Sequence, residues 1–217
     1  MTINQPVYNN ISDNCTKHNA TLVAVSKIQP NSKIQELYSL GHRDFGENYV
    51  QELMEKQQAL PNDIRWHFIG HLQTNKAKYI VPFVYLIHGV DSLKLLKEIN
   101  KQAAKINKTV NCLLQVFIAK EETKFGLDYA EVETILQQKT ALQNVNIVGL
   151  MGMASNSDDE TIVKNEFEQL SAFFKQHFNA QQHYLSMGMS GDYLLALKAG
   201  SNMVRIGSSI FGFRVYQ

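Results

Sequence analysis

The sequence predicts an α/β protein built as a single (β/α)8 TIM barrel. Eight short apolar runs with strand character alternate with segments of helical periodicity, and no break in composition divides the 217 residues. Hydrophobic residues make up 44% of the chain, which is enough for a full core. The sequence therefore predicts one domain over residues 1–217. An open, doubly wound sheet is the competing architecture, because the second strand is very short.

The first four strands are predicted where strand-forming residues lie between helix signals, at residues 23–26, 43–46, 65–69 and 83–90. A helix follows each of them. Pro30 begins the first of these helices, and Val50 and Leu53 in the second have helical spacing. The third helix starts near Thr74, and Ser92 caps the fourth. The residues before position 22 form an extra N-terminal helix.

The last four strands are predicted at residues 110–118, 145–150, 183–186 and 202–206. Helices are expected at 129–136, 159–178 and 192–199. In the long segment 159–178, Ile162, Phe167, Leu170 and Phe174 form the expected buried stripe.

Composition excludes several classes of function. The net charge of +1 provides no basic surface for nucleic acid or an anionic membrane. No apolar run approaches the length of a membrane span, and the first residues lack the pattern of a signal peptide. Cys15 and Cys112 match no metal or redox spacing. We expect a cytoplasmic protein.

Lys27 is predicted to end the first strand at the carboxyl edge of the barrel, where barrels place their functional groups. An amine among apolar neighbours loses hydration, which disfavours its charged form and makes a neutral nucleophile accessible. Such an amine can form a Schiff base with an aldehyde or ketone. The alternative is a strand-end lysine that extends its charge to water.

Two turns rich in Gly and Ser follow strands seven and eight, at residues 186–191 and 205–209. Glycines let backbone N–H groups approach an anion, serine hydroxyls add donors, and barrels most often hold a phosphate at these two loops. Either turn alone is explained as a tight turn. Together, after the last two strands of the predicted barrel, the two turns predict a phosphate site.

An amine and a phosphate site at one barrel mouth predict pyridoxal 5′-phosphate, a phosphorylated aldehyde. Arg205, at the end of strand eight, is placed to meet the pyridine ring. A guanidinium there keeps the ring nitrogen unprotonated, which weakens the ring as an electron sink. The alternative for Arg205 is a salt bridge that closes the barrel, with Glu47 as the partner.

Ordered motifs from about residue 22 to the carboxyl terminus are similar to one family. They are LVAVSK at 22–27, FGENYVQE at 45–52, WHFIGHLQTNK at 66–76, SMGMSG at 186–191 and VRIGSSIFG at 204–212. On these motifs the chain resembles the pyridoxal phosphate homeostasis protein family (YggS/PROSC).

The resemblance implies a barrel like the N-terminal domain of alanine racemase, of the fold-type III pyridoxal proteins. It also implies a cofactor site in which Lys27 carries the cofactor as an internal aldimine. Ser190, Gly207 and Ser208 would surround the phosphate. Arg205 would lie at the ring nitrogen, with Asn48 and His67 near the ring. Proteins of this family bind the cofactor and buffer or deliver it, without an established catalytic activity. We therefore expect a non-catalytic monomer whose partners are pyridoxal phosphate and recipient apo-enzymes.

The competing function is a pyridoxal-dependent amino-acid racemase or a related lyase. Racemisation needs acid/base groups on both faces of the ring, and Lys27 serves only one of them. In the two-domain enzymes the opposing tyrosine comes from an extra domain of a partner subunit. We expect no such domain here, because the chain ends soon after the eighth barrel unit.

The chain departs from the family pattern at three places. Ile28-Gln29 replaces a small or polar pair after the lysine, and residues 149–154 lack the usual Thr and Pro. The N-terminal segment is short and contains no Arg. Lys124 repeats a Lys-x-Gly pattern of the family and is expected to be a solvated charge, although it could approach the phosphate. His88 and the other histidines outside the motifs are expected to be core or surface residues without metal-ligand spacing.

Overall fold

Eight parallel strands close into a barrel, each paired with its neighbours in sequence and the first paired with the last. The computed structural model describes residues 2–121, 125–179 and 183–212. Closure confirms the predicted TIM barrel and excludes the open sheet. Each strand brings its carboxyl end to the same edge, so the loops after the strands share one mouth.

The strands follow the predicted order with small shifts at their ends. They are β1 Thr21–Val25, β2 Asp44–Glu47, β3 Arg65–Phe68, β4 Leu86–Val90, β5 Val110–Val116, β6 Val145–Gly152, β7 Tyr184–Ser186 and β8 Met203–Ile206. The largest shift is in β4, which was predicted to begin at position 83. The N–H groups of Phe83 and Val84 both bond to the carbonyl of Ile80, so these residues still belong to the preceding helical turn.

Helices cover the outside of the barrel. They are α1 Gln5–Lys17, α2 Asn31–Ser39, α3 Val50–Ala59, α4 Ala77–Ile80, α5 Leu93–Ala104, α6 Tyr129–Gln138, α7 Glu160–His177, α8 Tyr193–Lys198 and α9 Ser208–Phe211, with 3-10 turns at Thr74–Lys76 and Lys139–Ala141. The extra N-terminal helix is confirmed as α1. The side chains of Asn4, Ser92 and Asp159 cap α1, α5 and α7 respectively.

The stripe predicted on α7 is shifted by one residue at its start. Val163 is buried together with Phe167, Leu170 and Phe174, whereas Ile162 is only partly buried. The spacing 163, 167, 170, 174 follows the 3.6-residue helical period, and position 162 lies off that face.

Two apolar clusters divide the core. The larger lies between the barrel wall and the helices and includes Phe45, Phe68 and Phe167. The smaller fills the barrel interior, where its members are Val23, Leu86, Leu113, Val148, Met151 and Met203. Because Val23 belongs to the interior cluster and Ala24 to the outer one, side chains alternate along β1 as a strand requires.

Within the described ranges, the structure contains no helix with both the length and the hydropathy that crossing a bilayer requires.

Candidate functional site

The turns after β7 and β8 lie side by side at the barrel mouth. The backbone N–H of Arg205 donates to the carbonyl of Gly188 at 3.0 Å, which ties the end of β8 to the first turn. The hydroxyl oxygens of Ser190 and Ser208 are 3.4 Å apart. Two hydroxyl groups from different loops therefore converge next to Gly207. The phosphate site that the sequence predicts at these turns stays a prediction.

Lys27 follows β1 at the same edge of the barrel. Strand β1 pairs with β8 in the register Ala24 to Ile206, so Val25 lies beside Gly207. A Cβ added at Gly207 would lie 2.9 Å from the carbonyl oxygen of Val25, a distance that leaves no room for a side chain. Lys27 is half-buried and lies in the turn that begins two residues after the end of β1. The lysine loop and the phosphate turns are thus adjacent.

A buried lysine holds the residue before Lys27 from outside the barrel wall. Lys56 on α3 donates to the carbonyl of Ser26 and to Oε1 of Glu47, both at 2.7 Å. The hydroxyl of Ser26 donates to the same carboxylate oxygen at 2.6 Å. Main chain and side chain of Ser26 are therefore both fixed.

The residue after Lys27 is held by the same group of charges. Ile28 has a φ of 59°, in the left-handed region that a β-branched side chain rarely adopts. Such strain costs about 1–3 kcal/mol and persists only where surrounding contacts impose it. Here the N–H of Ile28 donates to Oε1 of Glu52 at 2.6 Å, and Lys56 donates to that same oxygen at 2.7 Å.

Glu47 is the most deeply buried member of this group of charges. Burial raises the pKa of its carboxyl to about 7, against the lowering effect of Lys56. Among the described residues, its second oxygen, Oε2, has no hydrogen-bond partner. The pair of Glu47 and Lys56 is therefore sensitive to the loss of either member.

Arg205 is buried and uses neutral acceptors. Its Nη1 donates to the carbonyl of Ser186 at 2.9 Å and to the hydroxyl of Ser186 at 2.6 Å, and its Nη2 donates to the carbonyl of Gly152 at 3.2 Å. Burial lowers the pKa of the guanidinium to about 10, and Asp192 opposes this shift. The alternative of a bridge from Arg205 to Glu47 is wrong, because Glu47 is paired with Lys56.

Asn48 and His67, expected near the ring, belong to the strands β2 and β3 and the loop after β2, and not to the two turns. Asn48 follows β2 and lines a cavity of about 500 Å³ together with Tyr49, His71 and Lys76. Its Oδ1 is buried and lacks a hydrogen-bond partner in the part of the chain that the structure describes. His67 is fully buried on β3, where its ring nitrogens lie within hydrogen-bond distance of Asp44 and His88.

Sequence reasoning missed the residues that connect His67 to Arg205. His88 was assigned to the core or surface, and Ser186 only to the turn after strand seven. Both are fully buried, and they bond to each other across the barrel. The available signal was a histidine in the middle of each of two consecutive apolar strands, since neighbouring parallel strands place such residues on one interior face.

Two further expectations concern Lys124 and metal ions. Lys124 lies outside the described residues, so its role stays a prediction. In the ranges that are described, no cluster of three or more His, Cys, Asp or Glu side chains could hold a metal ion.

Comparison with known proteins relates this barrel to a family. Residues 7–215 match the family model for the alanine racemase N-terminal domain. A pyridoxal phosphate homeostasis protein of Aquifex aeolicus is 38% identical over 208 residues, which cover 94% of this chain and 90% of that protein. The structure of PipY from Synechococcus elongatus with PLP bound is 37% identical, with a TM-score of 0.80 over 89% of this chain and 93% of that one.

A more distant structure extends the likeness of the fold. Alanine racemase from Bartonella henselae, with covalently bound pyridoxal phosphate, is 16% identical and has a TM-score of 0.72, covering 98% of this chain and 60% of that one. Fold and mouth together define a barrel of the alanine racemase N-terminal type. The chain belongs to the pyridoxal phosphate homeostasis protein family, which confirms the resemblance found in its motifs.

Replacing Lys56 tests the charges that hold the Lys27 loop. Lys56→Met leaves the carboxylate of Glu47 buried without its cation, so we expect the free energy of unfolding to fall by about 3–5 kcal/mol. The measurement is urea unfolding at about pH 9, because the pKa of Glu47 is already about 7 beside Lys56 and its carboxyl would take up a proton at neutral pH once that cation is removed. Adding Glu47→Gln should restore at least about 2 kcal/mol, because it removes the uncompensated charge.

Lys33 is the matched control, since it is buried as well but donates to the carbonyl of Phe211 and the amide of Gln29. Lys33→Met should show no recovery when Glu47→Gln is added. Equal recovery in both backgrounds would contradict a specific pair of Lys56 and Glu47.

Proposed function

We propose that this chain binds pyridoxal 5′-phosphate at the barrel mouth and acts in its homeostasis by holding and delivering the cofactor. The observation that supports this most is the contact between the lysine loop and the phosphate turns. Val25, two residues before Lys27, lies against Gly207, and the hydroxyls of Ser190 and Ser208 converge beside it. An amine and an anion site this close suit a phosphorylated aldehyde.

The chemistry of the donor set fits the cofactor. Ser190 and Ser208 would donate to phosphate oxygens, and Gly207 would let the main chain approach them closely. The 3-hydroxyl of the cofactor is a donor that could satisfy the unpaired Oδ1 of Asn48. Arg205 would face the ring nitrogen with a group that keeps its proton. His67 was predicted near the ring, but Asp44 and His88 engage both of its ring nitrogens, so it would not bond to the cofactor directly.

Lys27 would make the covalent attachment. Its amine would supply the nucleophile for the aldehyde carbon, and water would be the leaving group when the C=N bond forms. When bound, the cofactor supplies an electrophilic carbon and a ring that withdraws electrons, which Arg205 would moderate. The contacts that fix Ser26 and Ile28 would hold the lysine at a constant position in the mouth.

The relatives support a role in homeostasis rather than catalysis. The Aquifex protein has that name, and PipY is known with PLP bound. The alanine racemase likeness concerns the fold, and that enzyme has a further part beyond the region that this chain covers. We propose that the chain is a cytoplasmic monomer of one domain without catalytic activity, and that its partners are the cofactor and recipient apo-enzymes.

Lys27→Ala is expected to abolish the visible absorbance that the protein acquires with pyridoxal phosphate, because the attacking amine is lost. Borohydride reduction of the wild-type complex, followed by peptide mass mapping, should locate the label on Lys27. Lys76→Ala, which removes an exposed lysine lining the neighbouring cavity, is the control and should retain the absorbance. Label on any other lysine would refute the assignment.

Ser190→Ala and Ser208→Ala should each raise the dissociation constant of pyridoxal phosphate by about tenfold, the loss of one charge-assisted hydrogen bond. Binding of pyridoxal without its phosphate should change by less than about twofold, because the substituted hydroxyls would then have no anion to bind. Fluorescence titration of both ligands measures the difference. Equal losses for the two ligands would contradict a phosphate site.

A transfer assay separates the carrier from an enzyme. Loaded protein is mixed with an apo-form of a pyridoxal enzyme inside a flow dialysis cell that removes free cofactor. We expect enzyme activity to recover, with no turnover of alanine or other amino acids by the loaded protein alone. Amino-acid turnover that disappears in Lys27→Ala would favour the racemase or lyase instead.

A further inference from the structure

A continuous chain of hydrogen bonds crosses the barrel interior from one end of the strands to the other. At the amino end, Oδ1 of Asp44 lies 3.0 Å from Nε2 of His67. Nδ1 of His67 is 2.9 Å from Nε2 of His88, and Nδ1 of His88 is 3.1 Å from the hydroxyl of Ser186. Nη1 of Arg205 donates to that hydroxyl at 2.6 Å, at the carboxyl end.

The carboxylate of Asp44 fixes the position of every hydrogen in this chain. Burial raises its pKa, but the bonds from Arg65 and His67 outweigh that effect and hold the pKa well below its usual range. An ionised carboxylate only accepts, so His67 donates from Nε2 and accepts at Nδ1. His88 therefore donates from Nε2 and accepts at Nδ1, where it receives the hydroxyl hydrogen of Ser186.

The chain is not suited to carry protons. Burial lowers the pKa of His67 despite the opposing effect of Asp44. Burial, together with His67 and Arg205, lowers the pKa of His88 well below its usual value. A migrating proton would have to reside on one of these groups, and each resists it. The chain is therefore a fixed, polarised arrangement whose effect is geometric.

This chain of hydrogen bonds determines how Ser186 bonds to Arg205. A serine hydroxyl can donate or accept, but His88 takes the hydrogen of Ser186, so the lone pairs of Ser186 face the guanidinium. The carbonyls of Ser186 and Gly152 accept the remaining bonds to Nη1 and Nη2. Because the guanidinium is planar, these acceptors fix its plane, and none of the three bonds uses Nε.

We propose that Asp44, His67, His88 and Ser186 are positioning residues that hold the Arg205 guanidinium in the orientation in which it meets the pyridine nitrogen of the cofactor. The inference rests on the proposed function. It gives a structural reason for these buried polar groups beside the apolar cluster of the barrel interior.

The test compares His88→Leu with His88→Gln in protein loaded with pyridoxal phosphate. Leucine releases the hydroxyl of Ser186, so the dissociation constant should rise about tenfold and the visible band should shift as the ring nitrogen loses its partner. Glutamine retains a donor and an acceptor, and should keep the dissociation constant within about twofold and the band unchanged.

Ile87→Ala is the matched control, because Ile87 is the neighbour of His88 on β4 and packs in the outer cluster. It should lower the melting temperature without shifting the band. A band that is unchanged in His88→Leu, or one that shifts equally in Ile87→Ala, overturns the proposal. If His88→Leu does not fold, Ser186→Ala replaces it, with the same expected shift.

Nitrogen-15 spectra of the histidine rings test the chain without any cofactor. His67 and His88 should both be neutral with the hydrogen on Nε2 from about pH 5.5 to 8, where exposed histidines titrate. A ring with its hydrogen on Nδ1, or a charged ring, overturns the assignment. If the wild-type protein forms no visible band that depends on Lys27, the proposed function fails, whereas these spectra still report on the chain itself.

Discussion

The close approach of the backbones of β1 and β8 brings the lysine loop and the turn after β8 together. At the barrel seam, Val25 lies against Gly207, and a Cβ at that glycine would be 2.9 Å from the carbonyl oxygen and 3.1 Å from the Cβ of Val25. A larger residue would have to push the strands apart. The seam therefore brings the loop after β1 next to the loop after β8, about 180 residues later in the chain. Lys27 and the pair of Ser190 and Ser208 consequently lie at the same barrel mouth.

The interior of the barrel combines two kinds of packing. Its apolar cluster supplies the ordinary burial of Val, Leu and Met side chains. Two neutral histidines and a buried guanidinium lie beside that cluster. Burying any of these groups without hydrogen-bond partners would destabilise the fold. The structure satisfies them by a single chain that ends on the ion pair of Asp44 with the half-exposed Arg65. The ion pair that ends the chain thus lies at the end of the barrel opposite the mouth.

Local patterns predicted the strands, the helices and the two turns, because each depends on residues close in sequence. They also indicated Lys27, since a lysine after an apolar strand is visible in a window of six residues. The bond between His88 and Ser186 joins residues 98 positions apart, and the pairing of Glu47 with Lys56 depends on how α3 packs against β2. Such contacts are set by barrel closure and helix docking, which no local pattern records.

The departure of the chain from its family at Ile28 has a physical counterpart in the structure. A left-handed backbone suits Gly or Asn, so a small or polar residue would meet it with less strain than isoleucine does. The isoleucine is retained there by the bond of its N–H to Glu52, and Lys56 joins that carboxylate to Glu47 and Ser26. Both neighbours of Lys27 are thus held by one buried ammonium group. The position of the lysine depends on that group more than on the local preference of the residues beside it.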